Sequence, residues 1–383
     1  MKNLLFVLES LNCGGQEKSL VALLQNLDYS KYQVDLILIV KDSAFEKFLP
    51  KEVNLIIKKP LDNLNSFQLL SKRMNLKLLK KFNPDHYHHA QLFWKVFGKQ
   101  IPKHDKNYDV VFAMSQGFPT YYVATKVAAK IKYCYVNIDY KIAGYNPNFD
   151  APFYDIYQNI ISVSDQCDAI FVREMALIGK KYNTEGIRDI TDVYTTQKLS
   201  LEGKTFPKSD RVKIATVCRL THQKGIDMAI EACAILKNKG YNIDWRVIGE
   251  GVLRPKLEAL ITKLNVADSF RLEGFNENPF GYMKSADIYA QTSVFEGLGL
   301  TVVEAKILEK PIVCTNFPTV VHILEDTITG LICEMNPTDI AEKIQIYIDN
   351  PELKNKIVNN LKNPDNTEKE ITLKRLNELM QAQ

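Results

Sequence analysis

An alternation that runs through the chain twice constrains its fold more than anything else. Short Val-, Ile- and Leu-rich runs are separated by stretches with helical spacing. LLFVL (4–8), VDLILIV (34–40), VNLII (53–57), YDVVFAM (108–114) and KYCYVNI (132–138) form the first set. VKIATVC (212–218), DWRVIGE (244–250), FRLEG (270–274), ADIYAQT (286–292), PIVCTN (311–316) and GLICE (330–334) form the second. Between the first two runs, QEKSLVALLQNL puts Leu20, Leu23, Leu24 and Leu27 on one helical face. Apolar runs without polar alternation predict strands covered on both faces, as in parallel sheets flanked by helices. The expected class is therefore α/β, with two doubly wound Rossmann-like domains. The 383 residues agree, at roughly 100–200 per domain. The polar stretch TTQKLSLEGKTFPKSDR (195–211) reads as the seam. This divides the chain into 1–200, 201–365 and a C-terminal helix, 366–383, packing back toward the N-terminal domain. Ligands of such sheets sit beyond the C-terminal strand ends, so a deep cleft between the domains is the expected site.

The totals exclude several classes. A net charge of +4 is too small to point to a nucleic-acid binder. No apolar run reaches the roughly 18 residues of a membrane span. Glu9 and Asn12 cut the first apolar run to about five residues, short of a signal peptide, so it reads as a buried first strand. Cys13, Cys134, Cys167, Cys218, Cys233, Cys314 and Cys333 are scattered, with no C-x-x-C. That pattern fits reduced thiols in a cytosol rather than disulfides or zinc.

The informative residues are those that follow the strands. After the first comes ESLNCGGQEKS, where Gly14 and Gly15 precede a helix. They read equally as a ligand-approaching turn at a helix N-terminus and as an ordinary glycine turn. After VKIATVC, Arg219 and Lys224 suit a diphosphate, a guanidinium fork beside a point charge. Taken alone, they also read as solvated surface charges. In EGLGLTVVE (296–304), Glu296 falls in a loop and the helix begins near Leu300. Gly297 and Gly299 expose amides between them, and Glu304 lies about one turn inside the helix. A phosphate fits the middle, Glu304 suits vicinal hydroxyls such as a ribose offers, and Glu296 suits hydroxyls beyond the phosphates. A glycosidase pair would need two carboxylates facing each other across one bond, which strand–loop–helix placement does not provide.

These motifs resemble the retaining glycosyltransferases of family 4, which have the GT-B fold. The resemblance rests on CRLTHQKG (218–225), RVIGEGVLRPKLEALI (246–261), the E-x7-E of Glu296 and Glu304 within 271–305, KPIVCTN (310–316) and NCGGQEKS (12–19). It implies that Arg219 and Lys224 hold the donor diphosphate, Glu304 the ribose and Glu296 the sugar. The backbone of Gly297, Leu298, Gly299 and Leu300 would meet sugar and phosphates. Gly249, Gly251 and Phe275 would line the nucleobase pocket, and Gly14 and Gly15 would close on the pyrophosphate. It also implies a UDP-sugar donor, a hexose or N-acetylhexosamine, and a glycan or polyprenyl-linked acceptor in bacterial surface polysaccharide synthesis. The family's usual His after an N-domain strand is replaced by Asn137. Asn cannot act as a base, but it can hydrogen-bond a sugar. Asp139 is a candidate for proton handling, or a turn residue.

No D-x-D occurs in the sequence. Arg219, Lys224 and a helix N-terminus would supply the positive charge that a departing diphosphate needs, so no metal or other cofactor is expected. Asp85, His86, His88 and His89 are not expected to bind metal, because their spacing points alternate side chains apart. Residues 58–104 carry ten Lys/Arg against two Asp/Glu, mixed with leucines, Phe93, Trp94 and Phe97. That mixture suits an anionic bilayer surface, giving a cytoplasmic protein at the inner face of the membrane, or else a solvated helix face. Two alternatives stay open: a catalytically silent GT-B scaffold subunit, and a GT-B nucleotide-sugar epimerase.

Overall fold

The computed structural model describes residues 1–382 apart from 13, 42, 44, 84 and 365, and there each of the apolar runs forms a strand. The expectation for Cys13 lies outside the described residues. In chain order the first half contains β1 (Lys2–Val7), α1 (Gly15–Gln25), β2 (Tyr32–Leu38), β3 (Val53–Ile57), α2 (Ser66–Lys81), α3 (His89–Phe97), β4 (Asn107–Ala113), α4 (Phe118–Lys126), β5 (Ala128–Val136), α5 (Pro147–Tyr154), β6 (Asn159–Ser162), α6 (Asp165–Ala176) and β7 (Thr184–Gly186). The second contains α7 (Val193–Glu202), β8 (Val212–Val217), α8 (Ile226–Asn238), β9 (Ile243–Ile248), α9 (Arg254–Lys263), β10 (Phe270–Gly274), α10 (Phe280–Ser285), β11 (Ile288–Gln291), α11 (Leu300–Ile307), β12 (Ile312–Thr315), β13 (Leu331–Cys333), α12 (Pro337–Asp349), α13 (Pro351–Asn360) and α14 (Thr367–Gln381).

The strands make two all-parallel sheets, ordered β3-β2-β1-β4-β5-β6-β7 and β10-β9-β8-β11-β12-β13. Strand order reverses between β1 and β4 in one sheet and between β8 and β11 in the other. These are the switch points where doubly wound sheets open a crevice for ligands. Strand periodicity explains why neither face is polar. Leu4 and Phe6 of β1 join one core layer, with Val110 and Phe112 of β4, while Leu5 and Val7 join the other, with Val111 and Ala113. In the second sheet Ile288 and Ala290 of β11 face one layer and Tyr289 the other. Each such buried side chain stabilises the fold by roughly 1.5–3 kcal/mol if it is large.

The chain divides into two units, Met1–Ile190 with Glu370–Gln383, and Thr191–Lys369. The boundary falls earlier than the seam expected at 200, because the polar stretch starts with a helix rather than a linker. Asp192 caps α7 by accepting from the Thr195 amide at 2.6 Å, and Val193, Thr196 and Ser200 are buried. Asn278 donates to the Leu199 carbonyl at 2.8 Å, and a Cβ on Gly281 would lie 2.5 Å from the Gly203 backbone. That close approach ties α7 to α10. At the other end, Leu376, Leu379 and Met380 of α14 sit in the core of the first unit. Lys2 donates to the Gln381 and Ala382 carbonyls at 2.9 and 2.6 Å, a cation at a helix C-terminus.

The loop after β5 is anchored by Asp150 of α5, which is 1% exposed. Its carboxylate accepts from Tyr140 at 2.5 Å, Tyr121 at 2.7 Å and Gln91 at 2.8 Å. Burial pushes its pKa from 3.8 up to about 6, against the pull of those donors. Between these values the folded protein keeps a proton that the unfolded chain has lost. Asp150 therefore stabilises the fold fully below pH 3.8, and this contribution is lost as pH rises to about 6. Asp150→Asn removes the slope. Relative to wild type, the variant should gain about 2 kcal/mol between roughly pH 4.5 and 7, read by chemical denaturation. A pH-independent difference would show that Asp150 titrates alike in both states.

Candidate active site

At the switch point of the second sheet, the loops after β8 and β11 are joined backbone to backbone. Past β8, the Cys218 and Leu220 amides donate to the Ile248 and Glu250 carbonyls at 3.1 and 2.9 Å. A Cβ on Gly249 (φ 150°) would lie 1.8 Å from the Cys218 carbonyl oxygen, and one on Gly251 2.4 Å from that of Leu220. The close approach of two loops thus explains both glycines. The chain then makes a 3-10 turn, His222–Lys224, and leaves it at Gly225 in the left-handed region (φ 56°). The Val294 amide donates to the Gln223 carbonyl at 2.8 Å, and the Thr292 hydroxyl to the Lys224 carbonyl at 3.0 Å.

This lacing brings Lys224 onto Glu296. The Lys224 Nζ lies 2.5 Å from Glu296 Oε1, and the two side chains are 13% and 8% exposed. The same Oε1 accepts from Ser293 at 2.6 Å and Gln291 at 2.9 Å, whereas among the described residues Oε2 receives a long 3.4 Å contact from Gln223. One carboxylate oxygen is thus held by three donors and the other retains accepting capacity. Gln291 is itself oriented, accepting from Tyr289 at 2.7 Å and Thr301 at 3.2 Å. The sequence reading assigned Lys224 and Glu296 to different parts of a ligand and did not foresee their pairing. It also missed Gln223, Gln291 and Ser293, although their positions just past β8 and at the end of β11 were legible.

Beyond Glu296 the loop carries Gly297 and the buried Leu298, and Gly299 enters the left-handed region (φ 73°) to start α11 at Leu300. A Cβ on Gly299 would meet Ile323 at 3.0 Å and Phe317 at 3.2 Å. The Val302 and Val303 amides donate to the Gly299 carbonyl at 2.8 and 3.4 Å, whereas those of Leu300 and Thr301 precede the first acceptor of the helix. Glu304 lies one turn in and is buried. Arg219 is exposed, and among the described residues no hydrogen bond joins its guanidinium to Lys224 or Glu296. Phe275, 44% exposed, follows β10 beside Gly274, which bridges Gly249.

Residues 198–363, nearly the whole of this unit, match the family described as glycosyl transferases group 1. The matched residues fall within the second unit. Its relatives include the alpha-D-kanosaminyltransferase of Streptomyces kanamyceticus, 28% identical over 154 residues, or 39% of this chain and 40% of that one. The N-acetylgalactosamine-N,N'-diacetylbacillosaminyl-diphospho-undecaprenol 4-alpha-N-acetylgalactosaminyltransferase of Campylobacter jejuni is 30% identical over 151 residues, 39% of this chain and 40% of that one. The chain thus matches about two fifths of the length of these relatives. Over the whole chain, the fold is similar to that of Anabaena HepE in complex with UDP and glucose. The TM-score is 0.71 at 16% identity, covering 99% of each chain. The architecture is the two-domain α/β GT-B fold.

Outside the matched residues, the first unit places its predicted residues separately. Gly14 precedes α1 with an extended backbone (φ −171°), and the Glu17 side chain lies over it. Gly15 is the first residue of α1. Asp139 is 6% exposed and accepts from the Ile142 amide at 2.8 Å, as a turn residue does. Asn137 differs, because both polar atoms of its side chain are buried without a hydrogen-bond partner among the described residues. Its backbone N–H donates to Gln116 Oε1 at 2.9 Å, and Gln116 Nε2 is likewise buried with no partner among the described residues. Buried amides of this kind mark places for a ligand or water. Gln116, two residues past the β4 loop start, was not anticipated.

The histidines do not point apart as expected. His88 and His89 lie 3.9 Å apart between ring centroids, and His88 packs on Tyr145 at 4.1 Å. The cause is that His88 is the N-cap of α3, accepting from the Ala90 amide at 3.3 Å where the chain bends into the helix. Burial lowers its pKa to about 4.

Proposed function

We propose that the chain is a retaining, metal-independent glycosyltransferase of family 4. It would move a hexose or N-acetylhexosamine from a UDP-sugar to a glycan or lipid-linked glycan in bacterial surface polysaccharide synthesis. The observation that carries this reading is the Lys224–Glu296 pair at the switch point of the second sheet, beside the N-terminus of α11. An ammonium has three donors. Lys224 can keep one on Glu296 and turn others to a diphosphate, with Arg219 and the α11 amides compensating the charge that grows on the leaving oxygen. Glu296 Oε2 then accepts from donor-sugar hydroxyls, and Glu304 from the ribose. The leaving phosphate would take the acceptor's proton, since the family pattern contains no protein nucleophile. The name of the Campylobacter relative, with its diphospho-undecaprenol, supports a lipid-linked acceptor.

Nucleotide release from a panel of UDP-sugars, with and without EDTA, tests this. Turnover that persists in EDTA is expected. Turnover abolished by EDTA and restored by a divalent ion would overturn the metal-free part. Silence with every donor and acceptor would favour a scaffold subunit. Lys224→Ala should weaken UDP binding roughly 10–100-fold in calorimetry, the loss of one charge-assisted contact. An unchanged Kd would remove Lys224 from the diphosphate.

A further inference from the structure

We infer that the outward face of α2 docks on an anionic lipid bilayer. The basic and aromatic region 58–104 separates into two parts. Trp94 and Phe97 of α3 are 7% and 2% exposed and belong to the core, so they are withdrawn from any surface role. Helix α2 is the reverse, with no buried residue. Phe67 is 81% exposed, Leu70 and Met74 60% each, and Leu78 57%. At about 100° per residue these four fall within an arc of roughly 80°. Leu69, Lys72, Leu76 and Leu79, half-buried, take the opposite side, and Lys72 donates to the Val96 carbonyl of α3 at 3.1 Å. The apolar stripe therefore points directly away from the side by which α2 is attached. Phe82, 65% exposed, extends it past the helix end, with the Lys81 ammonium 5.5 Å from its ring centroid.

Charge and shape select the partner. Between Ser66 and Lys81 the helix carries Lys72, Arg73, Lys77, Lys80 and Lys81 and no acid. A convex apolar stripe edged by cations suits a plane with apolar depth and negative headgroups. The helix is already formed, since Asn65 and Gln68 close a capping box, with the Gln68 amide on Asn65 Oδ1 at 2.8 Å. Little ordering therefore opposes docking. Among the described residues no helix is long and apolar enough to cross a membrane, so the mode is in-plane. The proposal does not depend on sugar transfer, and vesicle binding reads no turnover, so either reading can fail alone.

Co-sedimentation of the full chain with vesicles of phosphatidylcholine, with and without phosphatidylglycerol, tests it. Retention is expected only with phosphatidylglycerol, and high salt should release the protein. The triple variant Leu70→Ser, Met74→Ser and Leu78→Ser should partition roughly 100-fold more weakly, and Lys77→Gln with Lys81→Gln roughly 30-fold more weakly. Because these side chains are exposed, the denaturation midpoints should not move. Absence of binding to the anionic vesicles would overturn the proposal, as would equal retention on phosphatidylcholine alone or undiminished binding by the triple variant. A concentration-dependent dimer that the triple variant dissolves would also overturn it, placing a second copy of the chain on this face.

Discussion

Glu296→Gln is expected to slow sugar transfer by at least about 10²–10³ while UDP binds within a few-fold of wild type. Lys224, Ser293 and Gln291 all donate to Oε1, so the amide oxygen of Gln must take that place. Its NH2 then falls where Oε2 was, and a charged acceptor becomes a neutral donor at the position proposed for the sugar hydroxyls. Removing one preorganised charged partner typically costs two to three orders of magnitude. Alanine is the poorer test. Both substitutions remove the counter-charge of Lys224, but alanine also removes the acceptor of three buried donors, a further loss of about 1–3 kcal/mol for each unsatisfied group that would be confused with a lost contact. The variant needs kcat/KM for transfer, a UDP titration and a denaturation curve measured together. Wild-type kcat would place Glu296 outside the site.

The second large effect is structural. Gly225→Ala should destabilise the second unit by about 3 kcal/mol or more, from left-handed strain and a backbone collision together. At φ 56° the added Cβ would lie 2.2 Å from the Thr292 carbonyl oxygen. No rotamer relieves contact with backbone, so the loops after β8 and β11 must part. The bonds from Val294 to Gln223 and from Thr292 to Lys224 would break with them. The chain has two tryptophans, buried Trp94 in the first unit and buried Trp245 in the second. In a Trp94→Phe background, the Trp245 fluorescence transition should move to lower denaturant. An unmoved transition would mean that the loops separate without cost.

The legible parts of the fold were those that hydrophobic burial alone determines. β3 and β10 fall at the residues expected, and the start of α11 at Leu300 follows from Gly299. β6 and β7 gave no sign because NIIS and TEG offer too little apolar sequence. In the fold β6 lies between β5 and β7 and buries Ile160 and Ile161, and polar contacts fasten the edge strand β7 around it. Thr184 donates to Asp168 at 2.9 Å, Asn159 bonds Glu185, and Arg375, far along the chain, reaches Glu185 at 2.7 Å. In the site, position after a strand identified Lys224 and Glu296 but not their contact, which depends on β8 and β11 being sheet neighbours. Gly249 and Gly251 were noticed for a ligand's sake, yet neighbouring backbone already requires them. The leucines and aromatic residues of 58–104 looked alike in the sequence. Only packing separates Trp94, inside, from Phe67, outside.

The first unit is completed by residues from both ends of the described chain, with Leu376, Leu379 and Met380 filling a core begun by Leu4 and Phe6. The second unit is one uninterrupted segment. During synthesis on a ribosome, 191–369 can emerge and close while the earlier domain still lacks its last helix. The nascent N-terminal half must wait with an apolar seam open, which makes it the half that a chaperone would engage and that premature termination would leave unfinished.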